Sequence, residues 1–149
     1  MSISYIINKA QCRVQTTCSG SVTVDEILGH YEAALQEDFL DYRELIDTCS
    51  VAPPYLSGAD IWRVAITVRN ALHCKKFGPR AVLVASDVLY GMTRIFTTIL
   101  SDDFPIRVFR DPATAVAWLE TWSEAGDSGL DAHCQPVSRL QPGSDPQFP

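Results

Sequence analysis

Residues 81–85 read AVLVA, apolar at every position. A strand with one wet face alternates apolar and polar side chains, so an unbroken apolar run describes a strand covered on both faces, as in a largely parallel sheet with helices packed over it. The flanking sequence supplies the helices. Before the run, Ile61, Ala65, Val68 and Leu72 recur at helical spacing; Lys75 and Lys76 suit the negative end of that helix and Gly78–Pro79 its stop. After it, Ser86 caps a helix with Leu89, Met92, Ile95, Phe96 and Ile99 on the expected inner face. IRVF then reads as the last strand. Asp111–Pro112 open a closing helix as cap and first-turn proline, with Ala115, Leu119 and Trp122 inward.

Upstream, SYII, a polar NKAQ turn and CRVQTTCS describe a β-hairpin in which Cys12, Val14, Thr16 and Cys18 share one face. Thr23 and Glu26 have the spacing of a capping box, and Ile27, Leu28, Tyr31, Ala34 and Leu35 form the apolar stripe of the helix that follows. ELIDTC is a short strand ended by Pro53–Pro54, since proline cannot donate to a sheet ladder. The order predicts an α/β fold: a mixed, mostly parallel five-stranded sheet built of β-α units after an N-terminal β-hairpin. Residues 1–122 form the expected domain. Residues 123–149, rich in Gly, Pro and Ser, read as a C-terminal tail that contributes nothing to the core.

A net charge of −6, with no basic run beyond Lys75–Lys76, argues against nucleic acid as a partner. No apolar stretch approaches the roughly 18 residues of a membrane span and no leader pattern is present, so membrane insertion is not expected and a cytoplasmic location is. The five cysteines lack a C-x-x-C pair and read as free thiols, with neither a disulfide framework nor a metal site.

Function in open α/β sheets collects beyond the carboxyl ends of the strands, here Asp47 to Ser57, Ser86 to Tyr90, and Arg110 to Asp111. No glycine-rich phosphate loop occurs, and no cofactor is implied. His30 and His73 fall on helices away from Ser57 and His133 falls in the tail, so each reads as a surface residue rather than part of a catalytic set. Ser57 stands where a helix cap belongs, and a phosphate there would also be tolerated. Asp47, Tyr55, Trp62, Tyr90, Arg94 and Arg110 make up a candidate ligand or partner surface, with Arg94 also suited to pair with Asp111 or Asp47.

The architecture, with LYGMTRIF at 89–96 and VFRDPATAVAWL at 108–119, resembles the bacterial SpoIIAA-like proteins of the STAS and SEC14-related group over residues 3–122. The resemblance implies a stack of β-α units with helices mainly on one side. It implies a non-enzymatic regulatory or protein-interaction module of STAS type; kinship with SEC14-related lipid binders implies, alternatively, a binder or sensor of a small apolar, lipid-like ligand. In the anti-sigma-factor antagonists of this superfamily an Asp-Ser-Ser/Thr-Gly segment is phosphorylated on its second hydroxyl residue. Here Tyr55-Leu56-Ser57-Gly58 matches in Ser57 and Gly58 alone.

Overall fold

The computed structural model describes residues 2–123. Apart from Ser123, the tail, with His133 and Cys134, lies outside the described residues. Strands β1 (Ile3–Asn8) and β2 (Arg13–Gly20) form an antiparallel hairpin. Three parallel strands follow, β3 (Arg43–Val51), β4 (Arg80–Leu83) and β5 (Ile106–Phe109), and the sheet order is β1-β2-β3-β4-β5. Helices α1 (Val24–Gln36), α2 (Gly58–Leu72) and α3 (Asp87–Leu100) connect the parallel strands, and α4 (Pro112–Thr121) closes the chain.

Each crossover adds its strand to the same growing edge, so α1, α2 and α3 lie side by side over one face of the sheet. Between them and the sheet lies the main core, where Val14, Ile46, Val82 and Ile106 meet Tyr31, Val64, Val68 and Leu100. Helix α4 covers the opposite face of β3–β5, packing Ala115 and Leu119 on Leu45, Ala81 and Phe109. This explains why AVLVA is apolar throughout: Val82 faces the three-helix core, and Ala81 faces α4. Beside α4 the hairpin keeps a wet face, where Gln15 and Thr17 are exposed and Ile6 is 75% exposed.

Four expectations are corrected here. Cys12 is not a strand residue; it takes the left-handed corner of the hairpin turn at φ 51° and is exposed. Helix α2 ends at Leu72 with His73 as its cap, leaving Lys75, Lys76 and Gly78 beyond it. Ile95 is 42% exposed, because at 100° per residue it lies about 120° round α3 from Leu89. On α1, Leu35 is 40% exposed and His30 is buried in its place. The inner stripe therefore runs Ile27, His30, Tyr31, Ala34, at i, i+3, i+4 and i+7.

Candidate functional site

A cavity of about 170 Å³ lies between the sheet and the three helices. Buried Thr16, His30, Val64 and Val82 line its inner end. At its outer end, beyond the carboxyl ends of β2 and β3, stand the exposed Pro54 and Tyr55 with Leu56. Its sides come from Ile46, Ile61, Leu89, Met92 and Phe96. An apolar cavity of roughly 150 Å³ holds a benzene-sized molecule. Cys18 also lines it; burial, then the charges of Glu44, Asp47 and Glu26, push its thiol up to about 12, so it is not a nucleophile at neutral pH.

Beside the inner end four elements build a buried polar cluster. Glu44, at the start of β3, pairs in register with Arg80, at the start of β4, and both are 0% exposed. Arg80 Nε lies 2.9 Å from Glu44 Oε2, an ion-pair contact not aligned as a hydrogen bond. The other carboxylate oxygen accepts from Thr16 Oγ1 at 2.5 Å and lies 2.6 Å from His30 Nε2. Arg80 Nη1 donates to the carbonyls of Leu40 and Gly78, each at 2.9 Å, and its guanidinium lies 4.0 Å from the Phe77 ring centroid. Burial pushes the Glu44 carboxyl up, but Arg80 and then the His30 and Thr16 hydrogen bonds overcome it and hold the group at about 2.

An ionised carboxylate only accepts, so His30 Nε2 carries the proton in that contact and, in the neutral ring, Nδ1 is left as an acceptor. Nδ1 is buried without a hydrogen-bond partner among the described residues, as is Arg80 Nη2. Each such group costs about 1–3 kcal/mol while it stays unpaired. The surface reading of His30 is thus overturned: its register on α1 aims it at a carboxylate that β3 buries.

The sequence-derived site residues do not come together in one place. Tyr55, 37% exposed, lines the cavity, whereas Trp62, 56% exposed, lies outside its lining. Asp47 accepts the Cys49 N–H at 2.9 Å. Tyr90, Arg94 and Arg110 form a surface cluster. Arg94 donates to the Tyr90 hydroxyl at 3.3 Å, Arg110 sits 4.4 Å from the Tyr90 ring centroid, and Arg110 pairs with Asp87 at 2.7 Å. The expected pairing of Arg94 with Asp111 or Asp47 does not form, because Asp111 turns to α4 and accepts from Thr114 N–H and Oγ1 at 2.9 and 2.7 Å. Among the described residues no group of three or more His, Cys, Asp or Glu is arranged to hold a metal ion, and no helix is long and apolar enough to cross a membrane.

Ser57 caps α2, its Oγ accepting the Asp60 N–H at 3.1 Å. Ser57→Ala should therefore cost about 1 kcal/mol, and Ser57→Asp should be nearly neutral because aspartate caps well and suits the helix dipole. Urea melts of the three proteins check this; equal stability of wild type and Ser57→Ala would show the cap to be idle.

The fold is similar to that of an uncharacterized protein of the DUF3478 family with a SpoIIAA-like fold from Shewanella loihica PV-4, with a TM-score of 0.53 and 20% identity over 79% of this chain and 94% of that one. An anti-sigma factor antagonist from Mycobacterium paratuberculosis aligns with a TM-score of 0.49 and 17% identity, over 80% of this chain and 95% of that one. No family model and no curated protein matches the sequence. The chain has a SpoIIAA-like α/β fold, in agreement with the resemblance carried by residues 89–96 and 108–119.

Proposed function

We propose that this domain is a non-enzymatic sensor that binds a small, largely apolar ligand between its sheet and helices α1–α3. The observation that supports this reading is the cavity itself: it is about 170 Å³, lined mainly by apolar side chains, and reached past Tyr55 and Leu56. Pockets of this kind, apolar with a few convergent polar groups, are the usual form of a small-molecule site. The ends of α2 and α3 that frame it also lead to the exposed apolar residues Tyr55, Trp62 and Val88. These exposed side chains support a second reading: a protein partner recognises this end of the fold, and ligand occupancy regulates the contact.

Binding is tested by thermal unfolding with one-ring hydrocarbons and phenols. A ligand at about 100 times its Kd should stabilise the domain by about 2.7 kcal/mol. Met92→Trp, which fills the cavity from the half-buried side of α3, should abolish the shift while leaving the protein folded. No shift with any probe, together with no copurifying small molecule in native mass spectra from the host, would remove the ligand reading.

A further inference from the structure

We propose that two copies of this chain join edge to edge through β1, antiparallel about a two-fold axis at Ile6, so that their sheets continue as one. The proposal does not depend on the cavity being filled. In the hairpin, Ser19 N–H donates to the Ser2 carbonyl at 2.8 Å, which sets the alternation along the ladder: Ser4, Ile6 and Asn8 bond across to Thr17, Gln15 and Arg13. Ile3, Tyr5 and Ile7 therefore turn their main-chain N–H and C=O groups outward, where β1 is the edge of the sheet and no main-chain partner meets them among the described residues. Edge strands normally carry a lysine, a proline or a bulge that discourages pairing. β1 reads ISYIIN, without charge or proline, and its register with β2 is unbroken. The other edge, β5, is four residues long, carries Arg107 and follows Pro105.

The strand is complementary to a second copy of itself. With Ile6 on the axis, Ile6 meets Ile6, Tyr5 meets Ile7 and Ser4 meets Asn8, so apolar residues face apolar ones and polar residues polar ones on both sides of the sheet. Each Tyr5–Ile7 pair exchanges both of its N–H···O=C bonds, because these are residues whose groups point outward. The same axis covers Ile6, which at 75% is the most exposed large apolar residue among those described. Charge agrees. Lys9, just beyond the end of β1, comes opposite Ile3 of the second copy, next to Ser2, whose N–H donates to the Glu26 carboxylate at 3.3 Å. Each copy thus brings a cation toward the other's carboxylate.

Sedimentation equilibrium of the full chain should show a dimer that forms with rising concentration. As it forms, the Tyr5 and Ile7 amides of wild type should exchange with deuterium more slowly, while that of Ile6, already in the hairpin ladder, should change less. Ile6→Lys, at a position exposed enough to leave folding intact, should weaken the dimer at least about tenfold, because like charges directly opposite oppose strand pairing. Mixing Ile6→Lys with Ile6→Glu should restore association as a heterodimer, as expected only where residue 6 meets itself. A chain that stays monomeric up to roughly 1 mM would overturn the proposal, even if an added host protein protects Tyr5 and Ile7, since the edge would then belong to a different strand. A dimer that Ile6→Lys leaves intact, with Tyr5 and Ile7 exchanging freely, would also overturn it by placing the interface elsewhere.

Discussion

Arg80→Met should destabilise the domain by about 3–5 kcal/mol, because it strands the Glu44 carboxylate, 0% exposed, without its cation. Glu44→Leu alone should cost a similar amount by stranding Arg80. The double variant should cost clearly less than the sum, since no buried charge is then left uncompensated. Acid should reproduce part of the loss in wild type. The Glu44 carboxyl sits at about 2 in the folded chain against an ordinary value of 4.5, so its contribution is complete above about 4.5 and is lost as pH falls through about 2. At about 1.4 kcal/mol per unit, that amounts to roughly 3 kcal/mol. Urea melts between pH 7 and pH 2 should show this slope in wild type and a much flatter one in Glu44→Gln. Additive losses in the double variant, or the same acid slope in Glu44→Gln, would mean that the cluster is not the coupled unit the geometry describes.

The elements that bury this cluster were legible in the sequence, and the cluster was not. Period-two and helical spacing identify the hairpin, the parallel strands and the inner face of α2, because each signal lies within one segment; on α4 they identify Ala115 and Leu119, but Trp122 is the extended cap beyond the helix and Trp118 packs on the core in its place. The cluster joins Thr16, His30, Glu44 and Arg80 from four segments, and strand register brings them together: Val14 pairs with Glu44, and Glu44 with Arg80. Register is not written in any one stretch. A single clue was present, since Ile27, His30, Tyr31 and Ala34 fall at i, i+3, i+4 and i+7, whereas the stripe read through Leu35 leaves out the i+3 position. Arg80 carries no sequence signal of burial, because the apolar run beside it starts at Ala81. Likewise, Tyr90, Arg94 and Arg110 fall at the expected end of the sheet, yet their side chains meet one another on the surface, and the half-buried Met92 and Phe96 of the same helix line the cavity instead.

Gly78→Ala should cost about 3 kcal/mol, at the upper end of the range for overpacking, although it adds a single carbon to the chain. A Cβ at Gly78 would overlap the main chain of Asp41 and Tyr42, with the Tyr42 carbonyl oxygen nearest. Those backbones have little freedom to part. Gly78 N–H donates to the Leu40 carbonyl at 3.0 Å, Glu44 N–H donates to Pro79 at 3.0 Å, and Arg80 Nη1 bridges the Leu40 and Gly78 carbonyls. Moving residue 78 away therefore also disturbs the guanidinium that neutralises Glu44, so the steric and electrostatic losses are coupled. The glycine is required by a close approach of two chain segments; the helix it was expected to end stops at Leu72. Gly29→Ala supplies the contrast: Gly29 is exposed on α1 with nothing within 4 Å of an added Cβ, so alanine there should stabilise by about 0.5–1 kcal/mol through helix propensity alone. Urea midpoints that move in opposite directions for the two alanines, with near-equal m-values, would support this account. A Gly78→Ala protein as stable as wild type would show that the segments at 41–42 and 78 are free to separate, and that Arg80 is held less tightly than its hydrogen bonds imply.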